Sequence, residues 1–140
     1  IEEDTYDMCV KAAISSEFKS LISYINNHLD EKITLQILYE KFRINKNQIE
    51  NLFKEYLNTT FYEYLKTRRY EEASYYLRFT ELDGEQIACR IGLSSSQNFC
   101  KFFKSISGMS PNKFRKTTVM RRKTDEELIE LIRTPSYNYT

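Results

Sequence analysis

Several residue types on which whole classes of protein depend are scarce in this sequence. The 140 residues include 3 Gly, 2 Pro and 3 Cys, and no apolar run approaches the roughly 20 residues of a membrane-spanning helix. So few glycines and prolines argue against an all-β sandwich and against a glycine-rich phosphate loop. An odd number of cysteines without a Cys-x-x-Cys pair indicates neither a disulfide framework nor a zinc site. We therefore expect a cytoplasmic, helical chain without a cofactor, a metal or a membrane partner.

Candidate catalytic side chains are equally scarce. His28 is the only histidine and has no Asp or Cys at catalytic or ligand spacing, so we expect a surface position at a helix end and predict no enzyme. Small buried side chains are expected for Cys89 and Cys100, with a redox switch as the alternative. Tyrosines at helical spacing are expected to pack between helices rather than to stack on nucleobases, and they include Tyr62, Tyr70, Tyr75 and Tyr76.

The formal net charge of +1 conceals a strong asymmetry along the chain. Residues 1–31 carry 2 basic and 7 acidic side chains, whereas residues 32–115 carry 14 and 9. Between Gln86 and Thr124 there is no Asp or Glu, but there are nine Lys or Arg residues. This distribution indicates a surface that binds a polyanion, and an ordinary solvated basic face is the alternative.

Apolar spacing and capping residues predict seven helices before residue 117. The expected N-terminal caps are Ser15 or Ser16, Thr34, Asn45, Thr60, Asp83, Ser94 or Ser95, and Ser110. Three of these caps have the spacing of a capping box, namely Asn45 with Gln48, Thr60 with Glu63 and Asp83 with Gln86. Gly92 is expected to end the fifth helix with a positive φ, and Pro111 to occupy the first position of the seventh.

A short helix, a tight turn and a longer helix occur twice in the sequence. Residues 34–54 resemble residues 83–104, since Leu38 aligns with Ile87 at an offset of 49 and Phe53 aligns with Phe103 at an offset of 50. The repeat predicts two helix-turn-helix units, which we call the first head (residues 34–54) and the second head (residues 83–104). The fold class is therefore all-α, with tandem, homeodomain-like helix-turn-helix units joined by a long linker helix.

The second helix of such a unit presents its polar face to the major groove of DNA. Here that face carries Asn, Gln, Ser and Lys side chains, whose hydrogen-bond donors and acceptors suit base edges. The polar face of an ordinary solvated helix would carry more Glu. The polar residues are Lys46, Asn47, Gln48, Glu50, Asn51 and Lys54 in the first head, and Ser95, Ser96, Gln97, Asn98, Lys101 and Lys104 in the second. The predicted linker helix of about 20 residues spans roughly 30 Å, close to the roughly 34 Å between successive major grooves on one face of the duplex.

A dense set of motif residues runs from the fifth helix onward: Ile87-Ala88, Gly92-Leu93, Phe99, Phe102-Phe103-Lys104, Gly108-Met109-Ser110-Pro111 and Phe114-Arg115. With Phe53-Lys54, Phe61, Tyr64-Leu65, Arg69 and Ala73, these residues resemble the DNA-binding domain of the AraC/XylS family of bacterial transcription regulators. The resemblance covers about residues 18–116. It implies seven helices, monomeric binding to an asymmetric double-stranded DNA site and, for most relatives, transcription activation through RNA polymerase.

By that resemblance, six residues fall where relatives contact bases: Asn47, Glu50 and Asn51 in the first head, and Ser96, Gln97 and Lys101 in the second. The other polar residues of the two faces are candidates for phosphate contacts: Lys46, Gln48, Lys54, Ser95, Asn98 and Lys104. The first head is the less typical of the two, since Tyr39, Asn58 and Arg43 replace small residues or glycines. We expect the second head to contribute most of the affinity.

The chain is expected to divide into four parts: residues 1–14, an acidic linker or the remnant of an upstream region; residues 15–80, the first unit and the linker helix; residues 81–116, the second unit; and residues 117–140, a C-terminal extension. Within the extension, Thr124 and Glu127 again have capping-box spacing and Pro135 would end the element, which predicts an eighth helix. Because the first residue is not Met, we also expect an upstream effector or dimerisation region to be missing from this chain.

A competing hypothesis assigns the chain to a different functional class. A basic helical face could dock an acidic protein partner instead of DNA. The two hypotheses differ in salt dependence and in competition by nonspecific duplex DNA, because binding through several phosphates weakens steeply as salt rises.

Overall fold

The computed structural model describes residues 16–133, with the side chains of that range apart from residues 119–125, 128 and 131–133. Within this range the chain forms seven helices and no strand, which confirms the all-α tandem helix-turn-helix prediction. The helices are α1 (16–27), α2 (Leu35–Phe42), α3 (Lys46–Leu57), α4 (Phe61–Phe79), α5 (Gly84–Arg90), α6 (Ser96–Ser107) and α7 (Pro111–Arg133). Three expectations lie outside the described residues: the linker at 1–14, Ser15 as a cap, and Pro135 as a helix end.

The capping residues begin the helices where the sequence predicts. Both halves of the capping box are formed at Asn45 with Gln48 and at Asp83 with Gln86. Ser95, rather than Ser94, caps α6, because its Oγ accepts the backbone N–H of Asn98 at 3.1 Å. The hydroxyl caps accept a backbone N–H three residues on, as Thr34, Thr60 and Ser110 do. Each cap satisfies a donor that the first helical turn leaves unpaired.

The sequence repeat is reproduced in the backbone. Arg43 has a φ of 58° and Gly92 a φ of 80°, and these two residues are 49 positions apart, the offset between the first helices of the two heads. Asn58 and Gly108 end α3 and α6 with φ values of 51° and 77°, at the later offset of 50. The left-handed residues therefore recur at equivalent places, which confirms the positive φ expected for Gly92 and shows that Arg43 carries the same backbone conformation with a full side chain.

Two separate hydrophobic clusters hold the two halves of the domain. The first joins α1, α2 and α3 to the start of α4, and the second joins α5 and α6 to the end of α4. In α4, Phe61 and Leu65 belong to the first cluster, whereas Ala73 and Leu77 belong to the second. At 3.6 residues per turn, the core-facing direction of α4 therefore turns by about 120° between its two halves. The linker helix thus forms part of both cores.

Arginine side chains form hydrogen bonds between the linker helix and the segments packed against it. Arg68 Nε donates to Asn26 Oδ1 of α1 at 2.9 Å, and Arg69 Nη2 donates to the carbonyl of Glu31, which follows α1, at 2.8 Å. Arg115 of α7 donates to four backbone carbonyls at the end of α4 and just beyond it, those of Leu77, Tyr76, Thr80 and Leu82. A cation at the carboxyl end of a helix is also favoured by the helix dipole.

The eighth helix predicted in the extension is wrong as a separate element. The helix that begins at Pro111 continues without a break to Arg133, so Thr124 lies within α7 and not at the start of a separate helix. Capping-box spacing is only a local signal, and no Gly or Pro follows Pro111 within α7 to interrupt the helical hydrogen bonds. Among the described residues, no helix has both the length and the apolar composition to cross a membrane.

Candidate DNA-contacting surface

The exposed face of α6 is a row of side chains spaced by one helical turn. Gln97, Cys100, Lys101 and Lys104 are all exposed, whereas Phe99 and Phe103 on the opposite face are completely buried. Phe103 packs edge-on against Phe114 of α7, with ring centroids 5.0 Å apart, which fixes the rotation of α6 about its own axis. The second head therefore presents Gln97 and Lys101, two of its predicted base-contacting residues, to solvent.

Three other predicted residues lie at the beginning of α6 and have partners within the chain. Ser95 is the N-cap, and the Nδ2 of Asn98 donates to Ser94 Oγ at 2.6 Å. The backbone N–H of Ser96 donates to the carboxylate of Glu85 on α5 at 3.2 Å, so this half-buried residue joins the two helices of the head. These contacts position the first turn of α6, which is the end that enters a major groove in helix-turn-helix proteins.

The corresponding face of α3 is exposed in the same way. Asn47, Asn51 and Lys54 are exposed along one side of the helix, and Ile49 and Phe53 are buried on the other. Lys46 is exposed as well, while the Oε1 of Gln48 accepts the backbone N–H of Asn45 in the capping box. The structure thus brings Asn47, Asn51 and Lys54 of the first head together on one exposed face.

Glu50 has a role in the fold that the sequence analysis did not anticipate. Its carboxylate accepts the backbone N–H of Phe61 at 3.4 Å, at the first turn of α4, where a negative charge is favoured by the helix dipole. The equivalent pair in the second head is Cys100 and Pro111, and a proline has no N–H to donate. The repeat offset could have revealed this role of Glu50. The carboxylate occurs in the first head, where the first residue of the next helix has an N–H, and not in the second head, where that residue is a proline.

The two cysteines of the second head are exposed, so the prediction that they are buried is wrong. Cys100 lies three residues after Gln97 and four before Lys104, on the polar side of α6. Cys89 lies on α5 beside Ala88, which is buried in the core. Burial follows the helical period and not the general preference of the residue type, so the helical period would have placed both thiols outside.

The remaining aromatic and histidine expectations are correct only in part. Tyr70 and Tyr76 pack against the second cluster, as expected, but Tyr62 and Tyr75 are 68% and 54% exposed. Tyr75 lies against Phe79, another exposed ring, with centroids 5.2 Å apart. His28 follows the end of α1 as predicted; it is half-buried, stacks on Tyr24 and hydrogen-bonds the carbonyl of that residue through Nδ1.

The electrostatic surroundings of the two faces differ. Among the described side chains of α6 and α7 up to residue 118 there is no carboxylate, and Lys101, Lys104 and Lys113 are exposed. In the first head, α2 carries Glu40, which accepts a hydrogen bond from Gln36, and α3 carries Glu50 and Glu55. The second head also contains two carboxylates, Asp83 and Glu85, so the difference comes from α7, whose Lys113, Arg115 and Lys116 make the surroundings of α6 the more positive of the two.

Comparison with known proteins agrees with this architecture. A family model described as a helix-turn-helix domain matches residues 38–117. An uncharacterized helix-turn-helix transcriptional regulator of Escherichia coli K12, YdiP, is 35% identical over 98 residues, which are 70% of this chain and 32% of that protein. This chain therefore spans about a third of that relative's length.

Two solved structures share the fold. The C-terminal domain of AraT, a response regulator from Geobacillus stearothermophilus, matches with a TM-score of 0.64 and 31% identity over 68% of this chain and 79% of that one. The DNA-binding domain of AdpA, in complex with a target DNA, matches in fold with a TM-score of 0.68 and 20% identity over 75% and 95% of the two chains.

Paired helix-turn-helix units with exposed polar recognition helices are typical of a DNA-binding domain. The chain belongs to the AraC-type helix-turn-helix domain family of DNA-binding transcription regulators. This membership confirms the family resemblance and does not favour the alternative of a module that docks an acidic protein.

Proposed function

We propose that the chain binds double-stranded DNA sequence-specifically, with α3 and α6 as recognition helices in adjacent major grooves. One observation carries the proposal: each head exposes a row of Asn, Gln or Lys side chains, and the 19-residue α4 separates the two rows. At 1.5 Å per residue such a helix is about 29 Å long, near the roughly 34 Å pitch of the duplex.

Base contacts are assigned by exposure and position. In the second head Gln97 and Lys101 provide an amide and a cation for base edges, and Ser96 lies at the first turn of α6. In the first head Asn47 and Asn51 are the base-contacting side chains, whereas Glu50 acts mainly by holding α4. The residues assigned to phosphates are Lys46, Gln48, Lys54, Ser95, Asn98 and Lys104. Ser95 acts as the cap of α6, Gln48 as part of the capping box of α3, and Asn98 by fixing Ser94 at the start of α6.

The biological role proposed is that of a cytoplasmic, nucleoid-associated bacterial transcription activator. The name of the E. coli relative supports regulation of transcription, and its greater length is consistent with an effector or dimerisation region outside this sequence. Activation would require a contact with RNA polymerase, which the family resemblance suggests.

Selection from a random duplex library tests the DNA-binding proposal directly. We expect enrichment of an asymmetric site with two conserved segments about one turn, or about 10 base pairs, apart. Affinity for that site should fall steeply between low and moderate salt and should exceed affinity for random duplex. Failure to enrich any sequence would contradict sequence-specific binding.

A single chain is expected to occupy the selected site. Two heads in one polypeptide supply both half-sites, so no dimer is needed to provide the second recognition helix. Sedimentation equilibrium of the complex with a short duplex should give one protein per duplex. A strict requirement for two chains on the same short duplex would contradict this prediction.

Substitutions in the second head are expected to impair binding more than equivalent substitutions in the first. Gln97 and Asn47 occupy equivalent positions in the repeat, as do Lys101 and Asn51, so each pair compares one place in two electrostatic surroundings. Gln97→Ala and Lys101→Ala should each weaken binding by about tenfold or more, because a good base contact contributes about 1–3 kcal/mol. Asn47→Ala and Asn51→Ala should cost less.

The comparison needs one operator, matched salt and thermal melts to show that all four variants are folded. The neutral pair is decisive, since Gln97→Ala and Asn47→Ala leave the net charge unchanged. Equal losses from these two variants would show that the surrounding field does not determine which head dominates.

A further inference from the structure

The molecule has a cleft of about 450 Å³ between the two heads. One wall comes from the segment between α1 and α2, including Lys32, and the floor comes from α4 through Lys66 and Arg69. The opposite wall comes from the second head, through Gly92 and Phe102. The cleft is not part of the exposed polar face of α3 or of α6. The DNA contacts proposed above therefore do not involve it.

All the charged side chains that line the cleft are basic. Lys32, Lys66 and Arg69 line it, and none of the lining side chains is a carboxylate. Lys32 and Lys66 are exposed, and neither forms an ion pair with any residue that the structure describes. By contrast, the neighbouring Arg68 pairs with Glu71 and Glu72. Three uncompensated cations around one depression favour an anionic occupant.

Arg69 gives an independent reason to expect an anion. Its Nη2 donates to the carbonyl of Glu31 at 2.8 Å, but its Nε is buried and has no acceptor among the described residues. Burial lowers the pKa of this guanidinium, and no ion pair with a carboxylate of the described residues offsets that burial. A half-buried, unpaired cation costs free energy that an incoming anion would offset.

The cleft is bounded by both heads. Lys32 and Thr34 at the start of α2 line one side, Gly92 and Phe102 of the second head line the other, and α4 lies between them. A duplex that contacts both heads must span this gap. Between two successive major grooves, the duplex presents the phosphates that border its minor groove.

We propose that this inter-head cleft binds a DNA phosphate between the two half-sites, through Lys32, Lys66 and Arg69. Tyr62, whose ring is 68% exposed at the edge, supplies a hydroxyl that can donate to the same phosphate. This inference rests on the proposed DNA-binding function and adds a contact that neither recognition helix makes. It assigns to the cleft a role in affinity and register and not in base recognition.

Neutral phosphates at single positions of the operator test the assignment. Methylphosphonate replaces one phosphate at a time on each strand between the half-sites, and the binding of the 140-residue chain is titrated. For the unsubstituted protein, one position or two adjacent ones should cost about three- to tenfold in affinity. For the Lys32→Ala, Lys66→Ala double variant, the same positions should cost clearly less, because only Arg69 and Tyr62 remain to bind the phosphate. The salt slope on unmodified DNA should fall by about one.

Lys19→Ala is the matched control, because Lys19 is an exposed lysine of α1 that does not line the cleft. Its penalty should add to that of every methylphosphonate position. If the operator is bound but no central position is coupled to Lys32 and Lys66, the cleft assignment fails while the proposed function stands. If no duplex is bound specifically, the proposed function itself fails.

A small phosphorylated ligand is the other source of the same chemistry. Inorganic phosphate, titrated without DNA and followed by the amide resonances of Tyr62 and Lys66, distinguishes the two. Saturable shifts together with a flat methylphosphonate profile would assign the cleft to a small ligand and would overturn the DNA-phosphate proposal.

Discussion

Replacing Gly92 with alanine is expected to lower the free energy of unfolding by about 2–5 kcal/mol, from left-handed strain of about 1–2 kcal/mol and a steric clash of about 1–3 kcal/mol. Gly92 has a φ of 80°, and a Cβ there would lie 2.6 Å from the carbonyl oxygen of Leu29 and 2.8 Å from Nη2 of Arg69. Both neighbours belong to the other half of the domain. DNA affinity should therefore fall as well, since relieving the clash moves the second head relative to α4. Thermal melts and operator titrations measure the two effects.

Gly108→Ala separates strain from the clash. Gly108 has a similar φ of 77°, but nothing lies within 4 Å of the position that its Cβ would occupy. We expect this variant to lose only about 1–2 kcal/mol from the left-handed backbone. Equal destabilisation by Gly92→Ala and Gly108→Ala would contradict the role of close packing at Gly92.

Arg43→Gly is the reverse substitution, because it introduces a glycine at the position of the first head that is equivalent to Gly92. Arg43 holds a φ of 58°, so glycine would relieve strain in the native state and add entropy to the unfolded chain. These opposing terms are each about 1 kcal/mol, and we expect a small net change, with stabilisation if the relief of strain is the larger.

Arg115→Ala is expected to destabilise the domain by about 2–4 kcal/mol, because charged hydrogen bonds contribute about 1.5–3 kcal/mol each and are not additive. The guanidinium serves four carbonyls, and the shortest contact, from Nη2 to Leu82, is 2.7 Å. Removing it takes a donor from the carbonyls of Leu77, Thr80 and Leu82, whereas that of Tyr76 still accepts from Thr80. It also removes these contacts between α7 and the end of the linker helix. Urea unfolding followed by circular dichroism gives the loss.

Lys116→Ala is the control for this variant, because Lys116 is an exposed cation one residue further along α7. Arg115→Lys should be intermediate, since it keeps the positive charge but provides a compact ammonium instead of a planar fork. A loss from Arg115→Ala no larger than that from Lys116→Ala would mean that the four contacts contribute little in solution.

The helix starts and turns could be predicted from sequence because their causes are local. Asn45 with Gln48 and Asp83 with Gln86 satisfy the first N–H groups of α3 and α5 with side chains three residues apart, and so their spacing alone identifies the helix starts. The sequence repeat also predicted the positions of the turns. It placed Gly92 at the end of α5 and identified Arg43 as its unusual equivalent.

The errors came from features that depend on tertiary context. Thr124 has a good capping sequence, but α7 passes through it because nothing breaks the helix earlier. Glu50 stays a predicted base contact, but the sequence alone does not reveal its second role, in which its carboxylate accepts the N–H of Phe61 at the first turn of α4. The inter-head cleft could not be predicted, because its cations come from segments more than 30 residues apart that only the folded chain brings together.

The two separate clusters affect how the domain opens. Among the side chains that the structure describes, the first contains twelve buried residues and the second seven, and no residue is common to both. Local unfolding follows the amount of buried apolar contact, so the second half should open more often than the first. Because α4 turns different faces to the two clusters, its carboxyl-terminal half can fray while Phe61 and Leu65 remain packed. The half of the domain with the more positive recognition helix is thus also the half with the smaller cooperative folding unit.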